Sequence, residues 1–121
     1  TASRRHIEVV TLPVQDGFEP SDPYVRRFWV AAIGAGPVED LLRLVRAARN
    51  GVPVRAPLFL GTLLTEGLVA FHAGRVVVPD PIPALGRRAL SRLSPGLRRQ
   101  HAQLVLQRRT ERPAGTPPVG S

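Results

Sequence analysis

The segment Leu63–Leu85, LLTEGLVAFHAGRVVVPDPIPAL, constrains the fold of this chain more than any other stretch. Its helical start ends at Gly67, and two apolar runs, LVAF and RVVV, then flank the turn-forming residues His72–Gly74. The glycine of this turn can take the positive φ that a tight hairpin requires. The pattern therefore predicts a helix at about 57–66, followed by an antiparallel hairpin over Gly67–Asp80.

The rest of the chain predicts one more strand and several more helices. Residues rich in β-branched side chains indicate the strand, and apolar residues at helical spacing indicate the helices. The strand spans His6–Val14, and the helices span Pro23–Gly34, Gly36–Gly51, Ala84–Leu93 and a segment that begins at Ser94. We expect the helix at 57–66 to be buried, because its apolar residues lie almost all round it. Tyr24, Phe28 and Trp29 lie at helical spacing and are interpreted as core residues.

These elements predict the α+β fold class and four regions of one domain. Residues 1–22 hold the N-terminal strand and loop, and residues 23–83 hold a winged-helix-like core, in which helices lead into a two-stranded hairpin wing. Residues 84–109 are expected to form a basic helical arm, and the Pro/Gly-rich residues 110–121 a flexible tail. A chain of 121 residues has room for one modest core.

Composition excludes several classes of protein. The chain has no cysteine, which excludes disulfides and thiolate metal sites. No apolar run approaches the ~20 residues that cross a membrane, so no membrane partner is expected. The first residues, TASRRHIEVV, lack the apolar core of a secretory signal, and we therefore expect a cytoplasmic protein.

Charge is distributed unevenly along the chain. All 17 basic residues are arginine, a bias that a GC-rich genome would mostly explain. Residues 1–80 carry nine arginines and eight acids, whereas residues 81–121 carry eight arginines and the single acid Glu111. The second part therefore holds a net charge of +7 out of the total of +8. Because guanidinium pairs bidentately with phosphate, this excess predicts a polyanionic partner.

Three stretches within residues 22–101 carry a resemblance to known proteins. They are DPYVRRFWVAAIGAGPVEDLLRLVRAA, PLFLGTLLTEGLVAFHAGRVVVPDPIPAL and the arginine-flanked RRALSRLSPGLRRQHA. Together they resemble a group of small, uncharacterised actinobacterial proteins with a winged-helix-like core, over about two thirds of the chain. The resemblance implies a winged helix with an added N-terminal element and a helical C-terminal arm. It implies no activity and transfers no functional residue.

The helix in the position of a recognition helix is poorly suited to reading bases. PLFLGTLLTE contains no arginine or lysine, and its polar side chains are Thr62, Thr65 and Glu66. Base readout needs side chains that reach donor and acceptor edges in a groove. The preceding Gly51–Ala56 is also too short for the extra helix of a helix-turn-helix. We therefore predict the winged shape without major-groove reading by this helix.

No constellation of residues indicates catalysis, a cofactor or a metal site. His6, His72 and His101 are scattered, without a second ligand at metal-binding spacing, and Asp80 and the other acids are isolated. The GAGP at 34–37 lacks the lysine and the Ser/Thr of a phosphate loop, and is interpreted as a glycine turn before a helix. We therefore expect a non-catalytic protein.

The arginine pattern favours a nucleic-acid-binding function, with DNA or structured RNA as the partner. The contacts are expected to go mainly to backbone phosphates. The candidate residues are Arg75 in the wing and Arg87, Arg88, Arg92, Arg98, Arg99, Arg108 and Arg109 in the arm. The alternative is a protein–protein interaction module, or an assembly or ribosome-associated factor, that uses the winged-helix core as a scaffold. Its partner would be an acidic protein surface, ribosomal RNA or a second copy of the chain.

Overall fold

Residues 5–111, the part of the chain that the computed structural model describes, contain both strands and helices. The strands are β1 (His6–Ile7), β2 (Val9–Pro13), β3 (Val54–Arg55), β4 (Ala70–His72) and β5 (Arg75–Asp80). A π-helical turn (Val25–Trp29) continues into α1 (Val30–Ile33), and α2 (Ala35–Asn50), α3 (Leu60–Thr65), α4 (Arg87–Leu90) and α5 (Pro95–Thr110) follow. This order confirms the predicted α+β class. Most of the predicted flexible tail, residues 112–121, lies outside the described residues.

The predicted hairpin is present. β4 and β5 pair antiparallel with His72 opposite Arg75, which leaves Ala73 and Gly74 as a two-residue turn. Both turn residues have positive φ, 54° at Ala73 and 78° at Gly74. That backbone matches the right-handed twist of two tightly connected strands. Because α3 ends shortly before the hairpin, at Thr65, the predicted helix-to-hairpin order is confirmed.

The N-terminal strand joins the same sheet as the hairpin. β2 pairs parallel with β5, from Val9 opposite Val76 to Pro13 opposite Asp80, and the strand order is β2-β5-β4. Pro13 therefore ends an edge strand, where proline is tolerated. β1 pairs antiparallel with β3, so the short segment between α2 and α3 is extended, in agreement with its predicted lack of a helix.

Helix α2 supplies the centre of the hydrophobic core. Gly34, with a φ of 102°, separates α1 from α2, which confirms the glycine turn before a helix. One face of α2 is buried, and it consists of Val38, Leu41, Leu42 and Val45. Leu44 and Ala47, on a neighbouring face, are buried as well. They are covered because α2 contacts β2 and β5 as well as α3 and the π-helical turn.

The prediction that the helix at 57–66 is buried all round is wrong. Leu63 is fully buried, but Leu58 is 69% exposed and Phe59 also reaches the surface. The helix is only six residues long, and a domain of this size has too little other chain to surround it. The Asp40 carboxylate fixes its start by accepting a hydrogen bond from the Phe59 N–H at 2.9 Å.

Candidate nucleic-acid interface

A buried histidine docks α5 on the core. Nε2 of His101 lies 2.6 Å from the hydroxyl of Tyr24, and the same hydroxyl accepts a hydrogen bond from the Leu85 N–H at 2.8 Å. The Tyr24 ring stacks on Phe18 with 3.7 Å between centroids, and the His101 ring meets Phe28 edge to face. This junction brings α5 together with the N-terminal loop, the π-helical turn and the segment that precedes α4.

Burial sets the charge state of both members of the junction. It raises the pKa of Tyr24 to about 12 and lowers the pKa of His101 below its usual range. Both groups are therefore neutral at pH 7. Because the Tyr24 oxygen already accepts from Leu85, we assign its proton as donated to Nε2 of His101, which places the imidazole proton on Nδ1.

The aromatic residues near this junction belong to the core, as predicted. Tyr24, Phe28 and Trp29 are at most 4% exposed, which leaves no ring face for a base to stack on. The indole N–H of Trp29 donates to the Pro83 carbonyl at 2.8 Å. The segment that contains Pro83 is thereby held against the π-helical turn, and α4 and α5 follow it in the chain.

Two further arginines fix α5. Arg108 donates to the Gly17 carbonyl at 2.7 Å, and its guanidinium lies 3.8 Å from the centroid of the Phe18 ring. Arg27, on the π-helical turn, donates to the side chain of Gln100. Charge count predicts Arg108 as a phosphate contact, but in the structure its side chain is an anchor between α5 and the N-terminal loop.

Two other predicted phosphate-binding residues have acidic partners. Nη1 of Arg92 lies 2.5 Å from the Glu66 carboxylate, which is only 8% exposed, so this pair connects α3 to the chain after α4. Nε of Arg75 lies 3.2 Å from Glu8. Because both side chains of the Arg75 pair are more than half exposed, it stabilises the fold little and can open to a competing anion.

The remaining predicted residues are exposed arginines on α4 and α5, and we call this set the arginine face. Its members are Arg87, Arg88, Arg98, Arg99 and Arg109. None of them has an ion pair or hydrogen-bond partner for its side chain within residues 5–111. From residue 81 to the end of that range the sequence holds a single acid, Glu111, one residue beyond α5. The arginine face therefore carries five uncompensated positive charges on two helices that the core holds in place.

The structure brings two members of this face together around a groove. Arg98 and Arg109 line an open groove of about 560 Å³ with apolar side chains from α5 and from the segment 84–90. Leu106, which is 60% exposed, lies on the wall of this groove and also borders the outer surface of α5 next to Arg99. The sequence does not reveal the groove, because its two walls come from separate segments. The repeat of Arg98, Ala102, Leu106 and Arg109 on one side of a helix is the signal that marks it.

Asp80 has a partner that its position in the sequence does not indicate. Nε and Nη2 of Arg49 donate to its two carboxylate oxygens, each at 2.6 Å. Nη2 of Arg49 also donates to Glu19 at 3.2 Å. The hydrogen bonds to Asp80, and to a smaller extent the one to Glu19, raise the pKa of Arg49. Both carboxylates are thus held by one guanidinium, which ties α2 to the end of β5 and to the N-terminal loop.

The described part of the chain offers few other leads to function. Within residues 5–111, no group of three or more His, Cys, Asp or Glu side chains could hold a metal ion. None of the helices in this range has the length and apolar character required to cross a membrane. Comparison of the chain with protein-family models, with curated proteins and with solved structures finds no match. A functional proposal therefore rests on the chain's own residues.

Proposed function

We propose that this protein is a cytoplasmic, non-catalytic nucleic-acid-binding protein whose arginine face contacts backbone phosphates. The observation that carries this proposal is the set of five exposed arginines on α4 and α5 that have no acidic partner within residues 5–111. Like charges held close together repel one another and favour an anionic ligand. A nucleic-acid backbone supplies such anions at the required density, with one phosphate per nucleotide.

The scaffold in this proposal is a winged-helix-like core made of α2, α3 and the β4–β5 hairpin. Its short third helix carries no basic side chain between Leu60 and Thr65, so it does not read bases in a major groove. Arg75 adds a contact from the wing when its exposed pair with Glu8 opens. Arg92 and Arg108, which hold protein partners, position the helices that bear the arginine face. Binding is consequently expected to depend little on sequence.

The experiment is a salt titration of binding to random duplex DNA and to structured RNA, measured by fluorescence anisotropy. Five neutralised phosphates give a slope of log K against log salt of about −4.5 on B-form DNA. Replacing Arg98 and Arg99 together by alanine should flatten the slope by about 1.8, since each phosphate contact contributes about 0.9. All sequences should weaken by a similar factor, because phosphate contacts carry no sequence information.

The matched control removes the same charge from elsewhere. Arg46 on α2 and Arg55 on β3 are exposed and have no ion pair within residues 5–111. Their double alanine variant should keep the parent's slope to within a few tenths. A parent without salt-sensitive binding, or a control variant that weakens binding as much as the Arg98/Arg99 variant, would refute the arginine face as the nucleic-acid interface.

An interaction module is the second candidate function, and exposed apolar side chains favour it. Leu58 is 69% exposed, and Leu106, which lines the groove with Arg98 and Arg109, is 60% exposed. Exposed apolar surface suits an acidic protein or a second copy of this chain as partner. Sedimentation velocity on the parent and on a Leu58→Ser, Leu106→Ser variant tests self-association. The interaction-module function is favoured if the parent binds neither duplex DNA nor structured RNA and if only the double serine variant is monomeric.

A further inference from the structure

The groove between α5 and the segment 84–90 combines two features that rarely occur together on a surface. Its walls are apolar, with Leu85 and Leu90 on one side and Val105 and Leu106 on the other. Two charged side chains line it, and both are arginines, Arg98 and Arg109. The neutral ring of His101 lines it as well. None of the residues that line it is an acid. The groove therefore suits a ligand with apolar surfaces between anionic groups.

The spacing of the two arginines gives the length of that ligand. Arg109 follows Arg98 by eleven positions, which corresponds to about three helical turns and places both on the same side of α5, about 16 Å apart along its axis. Ala102 and Leu106 lie between them on that side. A stacked nucleic-acid strand rises 3.4 Å per nucleotide, so this distance spans roughly five stacked nucleotides, or fewer when they are unstacked.

Single-stranded nucleic acid has the required alternation of apolar and anionic groups. Its base faces are accessible, and burying them against aliphatic walls is favourable by roughly 25 cal/mol per Å² of apolar surface. A duplex hides the same faces in its stack, and docking it would press the exposed Leu106 against hydrated phosphates. An acidic peptide would need about five carboxylates placed to meet the arginine face, whereas a nucleic-acid strand presents a phosphate at every nucleotide.

We infer that this groove binds single-stranded nucleic acid, with unpaired bases on its apolar walls and neighbouring phosphates on Arg98 and Arg109. This inference rests on the proposed function and adds to it a preference for unpaired strands. The walls are aliphatic, so each base contributes less than the ~1–3 kcal/mol of stacking on an aromatic side chain. The guanidinium planes of the two arginines provide additional surfaces on which bases stack.

The test separates the bases from the phosphates. Binding is measured at one fixed salt concentration for three probes, which are a 12-nucleotide oligothymidine, an abasic phosphodiester strand of the same length and charge, and a 12-base-pair duplex. Oligothymidine should bind about tenfold more tightly than the abasic strand, and also more tightly than the duplex. Replacing Leu106 by serine should bring oligothymidine close to the abasic strand and leave the abasic strand's affinity unchanged.

Two more variants complete the design. Leu58→Ser changes another exposed leucine, one that does not line the groove, and it should leave all three affinities unchanged. Ala102→Gln puts a larger, polar and uncharged side chain into the groove from the exposed side of α5, and it should weaken oligothymidine while the abasic strand still binds. Both positions are on the surface, so far-ultraviolet circular dichroism should report an unchanged fold.

The outcomes distinguish this inference from the proposed function. If oligothymidine and the abasic strand bind equally and Leu106→Ser has no effect, the groove does not bind bases, although phosphate binding stands. If none of the three probes binds, the proposed function fails and the groove inference fails with it. If only an acidic amphipathic peptide binds and Leu106→Ser abolishes that binding, the groove belongs to a protein partner and the inference is overturned.

Discussion

Replacing Tyr24 by phenylalanine removes a single oxygen atom from the junction that fixes α5 to the core. The Leu85 N–H then loses its acceptor and Nε2 of His101 loses its partner, while the ring still stacks on Phe18. A buried polar group left without a partner costs about 1–3 kcal/mol. With two such groups, the free energy of unfolding should fall by about 2–6 kcal/mol. That is a large fraction of the 5–15 kcal/mol that stabilises a typical domain.

The assay is urea unfolding, followed both by circular dichroism and by the fluorescence of the buried Trp29. The double variant Tyr24→Phe, His101→Phe provides the internal control, because it removes both side-chain partners and leaves only the Leu85 N–H unsatisfied. The double variant should therefore lose at least about 1 kcal/mol less than the sum of the two single variants. A loss under 0.5 kcal/mol for Tyr24→Phe, or strict additivity in the cycle, as expected of roughly independent sites, would show that the junction does not carry this energy.

Two other predictions follow from buried polar groups. The pKa of His101 is lower in the folded protein than its unfolded value of about 6.5, so the unfolded chain binds the extra proton. The contribution of neutral His101 to stability is therefore complete above pH 7, and it falls as the pH drops below 6.5 towards the folded pKa. The urea midpoint should therefore drop from pH 7.5 to pH 5, and it should drop less in His101→Phe, whereas equal drops would contradict this assignment. Asp40→Ala should lower the free energy of unfolding by about 1–3 kcal/mol, because the Phe59 N–H loses its acceptor. Asp40→Asn should lower the free energy of unfolding less than Asp40→Ala, because its amide oxygen still accepts that bond. Thermal melts of both variants check this, and equal losses would exclude a role for the Asp40 carboxylate as the acceptor.

Local patterns in the sequence predict the elements whose cause is local. The hairpin follows from a glycine with positive φ between two apolar runs, and α5 begins where Ser94 and Pro95 indicate, with the Ser94 hydroxyl accepting from the Leu97 N–H at 3.2 Å. The parallel pairing of β2 with β5 joins segments more than 60 residues apart. No periodicity in either strand specifies the other, so the sequence predicts the N-terminal strand but not its place in the sheet that contains the hairpin.

The sequence predicts the positive charge of the candidate site, but it does not predict which partners the individual arginines contact. Counting charges along the chain identifies the arginine-rich C-terminal third, yet it treats Arg92, Arg108 and Arg98 as equivalent. Their difference arises from partners distant in sequence, since Glu66 binds Arg92 and the Gly17 carbonyl binds Arg108, while Arg98 has no such partner within residues 5–111. The apolar groove is invisible for the same reason, because Leu85 and Leu106 are brought together only by the docking of α5.

The use of arginine differs between α2 and α5 in a way that bears on function. On α2, two of the three arginines are balanced within the fold, because Arg43 binds Asp40 and Arg49 binds Asp80, and only Arg46 has no ion pair within residues 5–111. On α5, the arginines that point outward meet no carboxylate within residues 5–111, although the buried His101 holds the helix in one orientation. A fold that needed only solubility could balance these charges with the acids common on helix surfaces. Repulsion among rigidly placed like charges opposes folding, and it is relieved when anions bind. A phosphate-bearing ligand is therefore expected to raise the melting temperature of this protein as well as to occupy its arginine face.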